Sequence, residues 1–242
     1  MFPSRLSFRI RLIALLSIPC WLLPVDSALA GAADMIVPQP AQIQEAPEGV
    51  QIGNNWRIDW KGVRTPLLER AASRFLDRLR QRTGIAIDSD SRRPAQILTI
   101  DCGAEEANRT GIPASEQYRL VVERDHIVLQ APTATGVLRG LATLIQLVEN
   151  EANGFRFAGA RIDDAPRYAW RGLLIDTARH FIPVDALKRQ IDAMELVKLD
   201  VLHLHLSDNE GFRVESKVFP KLHSRSGFYT QAEIRELIAY AA

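Results

Sequence analysis

Apolar positions follow three regimes along the chain, and each predicts a different kind of element. From Leu12 to Leu23 they are nearly continuous, preceded by Arg5, Arg9 and Arg11 and followed by Pro24, Asp26 and Ala28-Leu29-Ala30. A basic head, a short apolar stretch and an A-x-A site predict a signal peptide over residues 1–30, because a membrane anchor needs about 20 uninterrupted apolar residues. Through residues 31–160 helical and strand periodicities mix. "TPLLERAASRFLDRLRQRTG" puts Leu67, Leu68, Ala71, Phe75 and Leu79 on one helical face, with Pro66 in the first turn and Gly84 past the end. "QILTIDC" and "YRLVVERDHIVLQAP" have strand character, the second folding back at Glu123-Arg124-Asp125-His126, where His126 is expected at the surface. In "TATGVLRGLATLIQLVEN", Thr135 is placed to cap a helix whose Val137, Leu138, Leu141, Leu144, Ile145 and Val148 form a broad stripe to lie on the sheet. Together with a lead-in punctuated by Pro38, Pro40 and Pro47, these elements predict a compact α+β domain.

From Ala160 onward strand and helix take turns: "YAWRGLLIDTAR", "PVDALKRQIDAMELVKL", "DVLHLHLSD" and "TQAEIRELIAYAA". Such alternation predicts parallel strands with covering helices. Pro183 and Asp185 mark the first helix start, with Ala186, Ile191, Met194 and Val197 on its inner face; Thr230 and Glu233 form a capping-box start for the second. An eight-stranded β/α barrel takes about 250 residues, and residues 161–242 hold two βα units. The expected fold class is therefore α/β: an N-terminal α+β domain over 31–160, then an incomplete (β/α)8 TIM barrel, truncated within 161–242.

Charge narrows the choice of partners. Thirty Lys plus Arg against twenty-nine Asp plus Glu leave +1, so nothing global draws the chain to nucleic acid or an anionic membrane. The arginines of the first helix (Arg70, Arg74, Arg78, Arg80, Arg82) are interrupted by Glu69 and Asp77 and predict a solvated face. Once the leader carrying Cys20 is removed, Cys102 stands alone, so no internal disulfide is expected. Pro19 disfavours lipidation at Cys20, and no stable membrane insertion is expected after cleavage. The predicted location is bacterial and exported, periplasmic or secreted.

Candidate chemistry gathers in "VLHLHLSDNEG" and "RGLLIDTARHF". Strand alternation puts Val201, His203 and His205 on one face and Leu202, Leu204 and Leu206 on the other. The leucine face would meet helices and the histidine face would look into the barrel, with Ser207, Asp208, Asn209 and Glu210 just past the strand's C-terminal end, where barrel enzymes build their sites. His203 and His205 as hydrogen-bonded core residues, with Asp208 capping a loop, is the structural alternative. The preceding strand carries Arg171, Asp176, Arg179 and His180. Arg171 offers a planar fork of donors suited to adjacent hydroxyls or a carboxylate, or else a salt bridge to Asp163 or Asp164; a strand starting at Arg171 would put it at the opposite mouth from Asp176.

The series from "IDDAPRYAWRGLLIDTARHF" through "DVLHLHLSDNEGFRVESKVFPKL" to "FYTQAEIRELIAYAA" resembles the start of the catalytic barrel of family 20 glycoside hydrolases, the β-N-acetylhexosaminidases. The preceding domain, with "IVPQP" and "TATGVLRGLATLIQL", is more loosely similar to that family's noncatalytic domain. The resemblance implies exo-hydrolysis of terminal β-linked N-acetylglucosamine or N-acetylgalactosamine, with retention and without metal or other cofactor. In the family the sugar's own acetamide attacks the anomeric carbon while a Glu acts as acid and an adjacent Asp orients the acetamide. No Asp-Glu pair here matches, so the acid is expected beyond Ala242 and these residues alone are expected to be inactive. Carried over residue by residue, Arg171 corresponds to an arginine gripping sugar hydroxyls, and Asp176, His180, His205 and Asp208 to positions supporting the pocket. Asn209 and Glu210 depart from the family's acidic residue and Gln. Two rival functions remain: a metal-dependent barrel hydrolase using His203, His205 and Asp208, and a noncatalytic carbohydrate-binding fragment.

Overall fold

A computed structural model describes residues 35–88, 96–103, 115–124 and 126–241; the signal peptide expected at 1–30 lies outside them. The chain first forms β1 (Gln42–Glu45), β2 (Val50–Gln51), β3 (Trp56–Gly62), α1 (Pro66–Thr83), β4 (Gln96–Cys102), β5 (Tyr118–Glu123) and β6 (His126–Ala131). It continues through α2 (Ala134–Gln146), β7 (Val148–Glu151), β8 (Gly154–Phe157) and β9 (Ala160–Asp164). Six strands make one sheet in the order β1-β9-β5-β6-β4-β3, with β4 parallel to both neighbours and the remaining pairs antiparallel. β2, β8 and β7 form a smaller antiparallel sheet.

Period-two alternation explains why the large sheet buries one face. Leu120, Val122, Ile127 and Leu129 are buried, while Arg119, His126 and Gln130 between them are exposed. Helices α1 and α2 cover the buried face. Thr65 caps α1, its hydroxyl accepting from Leu68 N at 3.3 Å, and Gly84 closes it in the left-handed region at φ 71°, its N–H donating to Arg80 O at 2.8 Å. Gly140 lets α2 lie close to the sheet, because an added Cβ would stand 2.2 Å from a Leu129 methyl.

Two local expectations need correction. The cap of α2 is Thr133, not Thr135: Thr133 is extended and its hydroxyl accepts from Gly136 N at 3.2 Å, which starts the helix a residue before Thr135. The helix also ends at Gln146, and Val148, expected in its stripe, opens β7 as a buried strand residue. The first sheet extends to Asp164 through β9, which pairs with both β5 and β1.

Beyond that point come β10 (Gly172–Asp176), α3 (Val184–Leu196), β11 (Val201–His205), β12 (Ser207–Asp208), β13 (Gly211–Phe212) and α4 (Gln231–Ala241). β10 and β11 are parallel, in register from Gly172 opposite Val201 to Asp176 opposite His205. Ile175, Leu204 and Leu206 pack with Leu187, Tyr229 and Leu237 beneath the two helices. The capping box forms: Thr230 N and Oγ1 donate to Glu233 Oε2 at 2.7 and 2.8 Å, and Glu233 N donates back at 3.1 Å. On the other face Leu174 stands opposite His203, and both are exposed among the described residues.

The arginine stripe of α1 is a docking face as well as a solvated one. Arg74 and Arg78 both pair with Glu195 of α3, Arg78 reaches Asp192, and Gln146 of α2 donates to Leu196 O at 3.0 Å. These contacts join the first helical layer to the start of the barrel.

Candidate active site

The two ends of the β10–β11 pair gather different chemistry. Arg171 precedes β10, at the N-terminal end. Its backbone N donates to Asp200 Oδ1 at 2.8 Å, and its C=O accepts from Asp200 N at 2.9 Å. The guanidinium is largely buried: Nε donates to Lys198 O at 2.8 Å, Nη1 to Tyr168 O at 2.7 Å and Nη2 to Glu116, with Asp200 Oδ2 3.4 Å away. Glu116, itself buried, also accepts from Arg139 at 2.6 Å. Asp164, an expected partner of Arg171, is instead taken by Lys198 Nζ and the Tyr118 hydroxyl, each at 2.8 Å. Burial works against the charge of both Lys198 and Asp164; the Lys198 ammonium, with Tyr118 and the Ala41 N–H, nevertheless holds the Asp164 carboxyl below its usual range. Burial, then the nearby Asp164 charge, drives the Tyr118 hydroxyl upward.

Arg171 is thus a junction residue between the two parts of the chain. A five-residue strand at about 3.3 Å per residue separates it from the far end of β10 by roughly 15 Å. It does not meet the other candidates.

At the C-terminal end the remaining residues converge. Asp176 and His205 close their strands side by side. Asp176 Oδ1 accepts from Arg179 N at 3.0 Å, and its Oδ2 pairs with the Arg179 guanidinium. The same guanidinium reaches Asp208 Oδ2 at 2.6 Å, and Asp208 Oδ2 lies 3.1 Å from His205 Nε2. Asp176, Arg179, Asp208 and His205 therefore form one continuous polar chain across both strand ends. Asp208 sits there because β12 and β13 make a tight antiparallel turn, with Asn209 N donating to Asp208 Oδ1 at 2.7 Å.

The electrostatics are those of a fixed array. The Arg179 backbone N–H, then its guanidinium, hold the Asp176 carboxyl below the ordinary range; the Asn209 N–H, then His205 and Arg179, do the same for Asp208. Arg179 is raised in turn, first by Asp176 and then by Asp208. Its side chain remains more than half exposed, so the fork has an open approach. His180 is exposed beside the cluster and shares none of its hydrogen bonds, while Asn209 and Glu210 lie exposed on the turn.

Arg179 is the rim residue to which no role was carried over. The available signal was its place: it follows Asp176 past the C-terminal strand end, on the same side as Asp208, whereas Arg171 begins the strand. Among the described residues no group of three or more His, Cys, Asp or Glu side chains could hold a metal ion. His205 and Asp208, the best of the metal reading's ligands, are engaged with each other and with Arg179.

Comparison with known proteins completes the description. Residues 34–165 match the model "Glycosyl hydrolase family 20, domain 2", and residues 168–242 match "Glycosyl hydrolase family 20, catalytic domain". The chain belongs to glycosyl hydrolase family 20. The family 20 relatives include β-hexosaminidase subunit β of Felis catus, 32% identical over 95% of this chain and 46% of the relative. The solved Flavobacterium johnsoniae chitobiase superposes with a TM-score of 0.76 at 35% identity, covering 85% of this chain and 32% of that one. A Vibrio harveyi family 20 exo β-N-acetylglucosaminidase, solved in complex with N-acetylglucosamine, gives 0.71 at 27% identity, covering 86% and 34%. The chain spans less than half the length of each of these relatives. The family 20 catalytic-domain match includes β10, β11 and the whole rim cluster, within an α/β fold of the TIM-barrel family. No helix among the described residues is long and apolar enough to cross a membrane.

Proposed function

We propose that this chain serves a β-N-acetylhexosaminidase, and that its polar rim forms one wall of the pocket for a terminal β-linked N-acetylhexosamine. The observation carrying this reading is the ion-paired array Asp176–Arg179–Asp208–His205 at the C-terminal ends of two parallel barrel strands, where barrel enzymes hold substrate. Arg179 takes the hydroxyl-gripping role that the resemblance gave to Arg171: its planar fork is held between two carboxylates and is open to solvent. Asp176, His205 and Asp208 orient that fork and offer acceptors to sugar hydroxyls. Among the described residues His180 shares no hydrogen bond with them.

In the proposed reaction the sugar acetamide attacks the anomeric carbon with overall retention, as substrate-assisted glycosidases do. A general acid must carry a proton at working pH. The donors around Asp176 and Asp208 hold both carboxyls below their ordinary range, which suits them to accept hydrogen bonds and not to serve as the acid. The leader pattern at 1–30 supports an exported protein.

Titration of the isotopically labelled chain with N-acetylglucosamine tests the pocket. Shifts are expected at Arg179, His205 and Asp208 with Arg171 unmoved; shifts centred on Arg171, or none, overturn the assignment. The same purified chain is expected to release no chromophore from an aryl N-acetylglucosaminide above the uncatalysed rate. Sustained turnover would put the acid within these residues.

A further inference from the structure

Arg213 is 3% exposed, yet its guanidinium hydrogen bonds are to carbonyls and one hydroxyl. Burying a cation without a carboxylate is costly unless its donors are satisfied, so the acceptors show what the cost supports. Nε donates to Thr177 O at 2.9 Å and Ala178 O at 3.1 Å, and Nη2 donates to Ala178 O at 2.7 Å. Nη1 donates to Ser226 Oγ and Gly227 O, both at 2.9 Å, and the Phe181 ring lies 5.9 Å from the guanidinium carbon. Thr177 and Ala178 are the two residues between Asp176 and Arg179. Thr177 N, Ala178 N and Thr177 Oγ1 all donate to one carbonyl, His205 O, at 3.1, 3.0 and 3.0 Å, and the Thr177 side chain also meets the Tyr229 hydroxyl.

From this we infer that Arg213 is a positioning residue: its guanidinium clamps the Thr177–Ala178 turn against His205, so that Asp176 and Arg179 project together toward Asp208. The inference rests on the reading of the rim as a sugar-contacting wall. The backbone behind that fork is held next to the end of β11, because Arg213 N donates to O of Leu206, the residue that follows the strand, at 2.8 Å; Arg213 O accepts from Tyr229 N at 2.7 Å. The rim is thereby referenced to both strands at once, by one guanidinium on one side and one carbonyl on the other. Gly211 makes the room: a Cβ there would lie 2.7 Å from the Arg213 guanidinium carbon and 2.8 Å from Ser224 Oγ. A lysine could reach one of the two turn carbonyls as a point charge, but it has no planar fork to hold both.

The test compares Arg213→Met, Arg213→Lys and Ser226→Ala with the parent chain, by amide exchange and by the guanidinium Nη–H resonance of Arg179, whose Nη1 and Nη2 meet Asp176 and Asp208. Arg213→Met is expected to speed exchange at Thr177 and Ala178 by about tenfold or more, while Leu98 and Leu129 keep their protection. The Arg179 resonance is expected to be lost to exchange with water, with partial recovery in Arg213→Lys. Ser226→Ala removes one anchor of the fork and is expected to produce the same change more weakly. A folded Arg213→Met chain with unchanged turn exchange and an intact Arg179 resonance overturns the inference. If Arg213→Met loses protection at Leu98 and Leu129 as well, Ser226→Ala decides, and unchanged exchange at Thr177 and Ala178 overturns it. N-acetylglucosamine affinity is followed in parallel. Failure of the parent chain to bind the sugar counts against the proposed function alone, because turn exchange still judges the clamp.

Discussion

The two parts of the chain are ordered by different means. The first buries a continuous apolar layer between a six-stranded sheet and two helices, with Leu98, Ile100, Leu120, Ile127 and Leu129 at 0% exposure. The second centres on three buried residues, Leu187, Tyr229 and Leu237, beneath a two-stranded sheet whose other face leaves Leu174 and His203 in the open. Its definition comes from polar clamps: Arg171 to Glu116, Lys198 to Asp164, Arg78 to Glu195, and Arg213 to the rim turn. Apolar burial is non-directional and supplies most folding free energy, whereas hydrogen bonds add little net stability but fix geometry. Among the described residues, apolar burial thus dominates the first part and directed hydrogen bonding the second.

The sharpest way to break this contrast is to delete equal apolar volume in each part. Leu129→Ala removes a fully buried side chain and is expected to cost about 3–4 kcal/mol. Leu174→Ala, on the bare face, is expected to stay within about 0.5 kcal/mol. Urea unfolding of both variants gives the comparison directly, and similar losses would mean that the second part carries a core not visible in its packing.

That contrast also explains what could be read in advance. The helices over 66–83 and 134–146 announce themselves through apolar spacing, and the capping box at Thr230 and Glu233 is local, so both kinds of feature were legible. The parallel pairing of β10 with β11 follows from the alternation of strand and helix, and with it the meeting of Asp176, His205 and Asp208. For Arg171 the strand alternation already raised the opposite mouth, but its partner Glu116, 55 residues away, is reported by no local pattern. Its backbone exchange with Asp200 then fixes the strand start at Gly172 and leaves Arg171 at the opposite end from the rim. The caps of α2 differ by two residues for a similar reason. Thr133 and Thr135 both suit a cap by type, and the backbone conformation decides between them.

A second prediction tests whether the polar junction couples the parts. Lys198 and Asp164 are both largely buried, and breaking a buried pair leaves an uncompensated charge. Asp164→Asn is expected to destabilise by about 3 kcal/mol, at the low end for such pairs because the Tyr118 hydroxyl still accompanies Lys198. Replacing both partners, Asp164→Asn with Lys198→Met, is expected to recover part of the loss. Thermal unfolding of the single and double variants checks this, and independent additive losses would show that the pair does not act as a unit.

A smaller effect concerns the rim alone. Folded carboxyls held below their unfolded values stabilise the native arrangement fully above the unfolded pKa, near 3.9 for Asp, and lose that contribution as pH falls through the folded value. Asp176 and Asp208 both have this sign, through the Arg179 and Asn209 backbone donors first and then through Arg179 and His205. Carbon resonances of the two carboxyls are therefore expected to titrate below about 3.9, and the turn amides of Thr177 and Ala178 to lose protection over the same interval. Arg179→Met removes the guanidinium but leaves the backbone donors, so both midpoints are expected to rise only part of the way back. Midpoints that do not move in that variant would mean that backbone donors alone hold the carboxylates, and that Arg179 is a guest of the rim and not the group that binds it together.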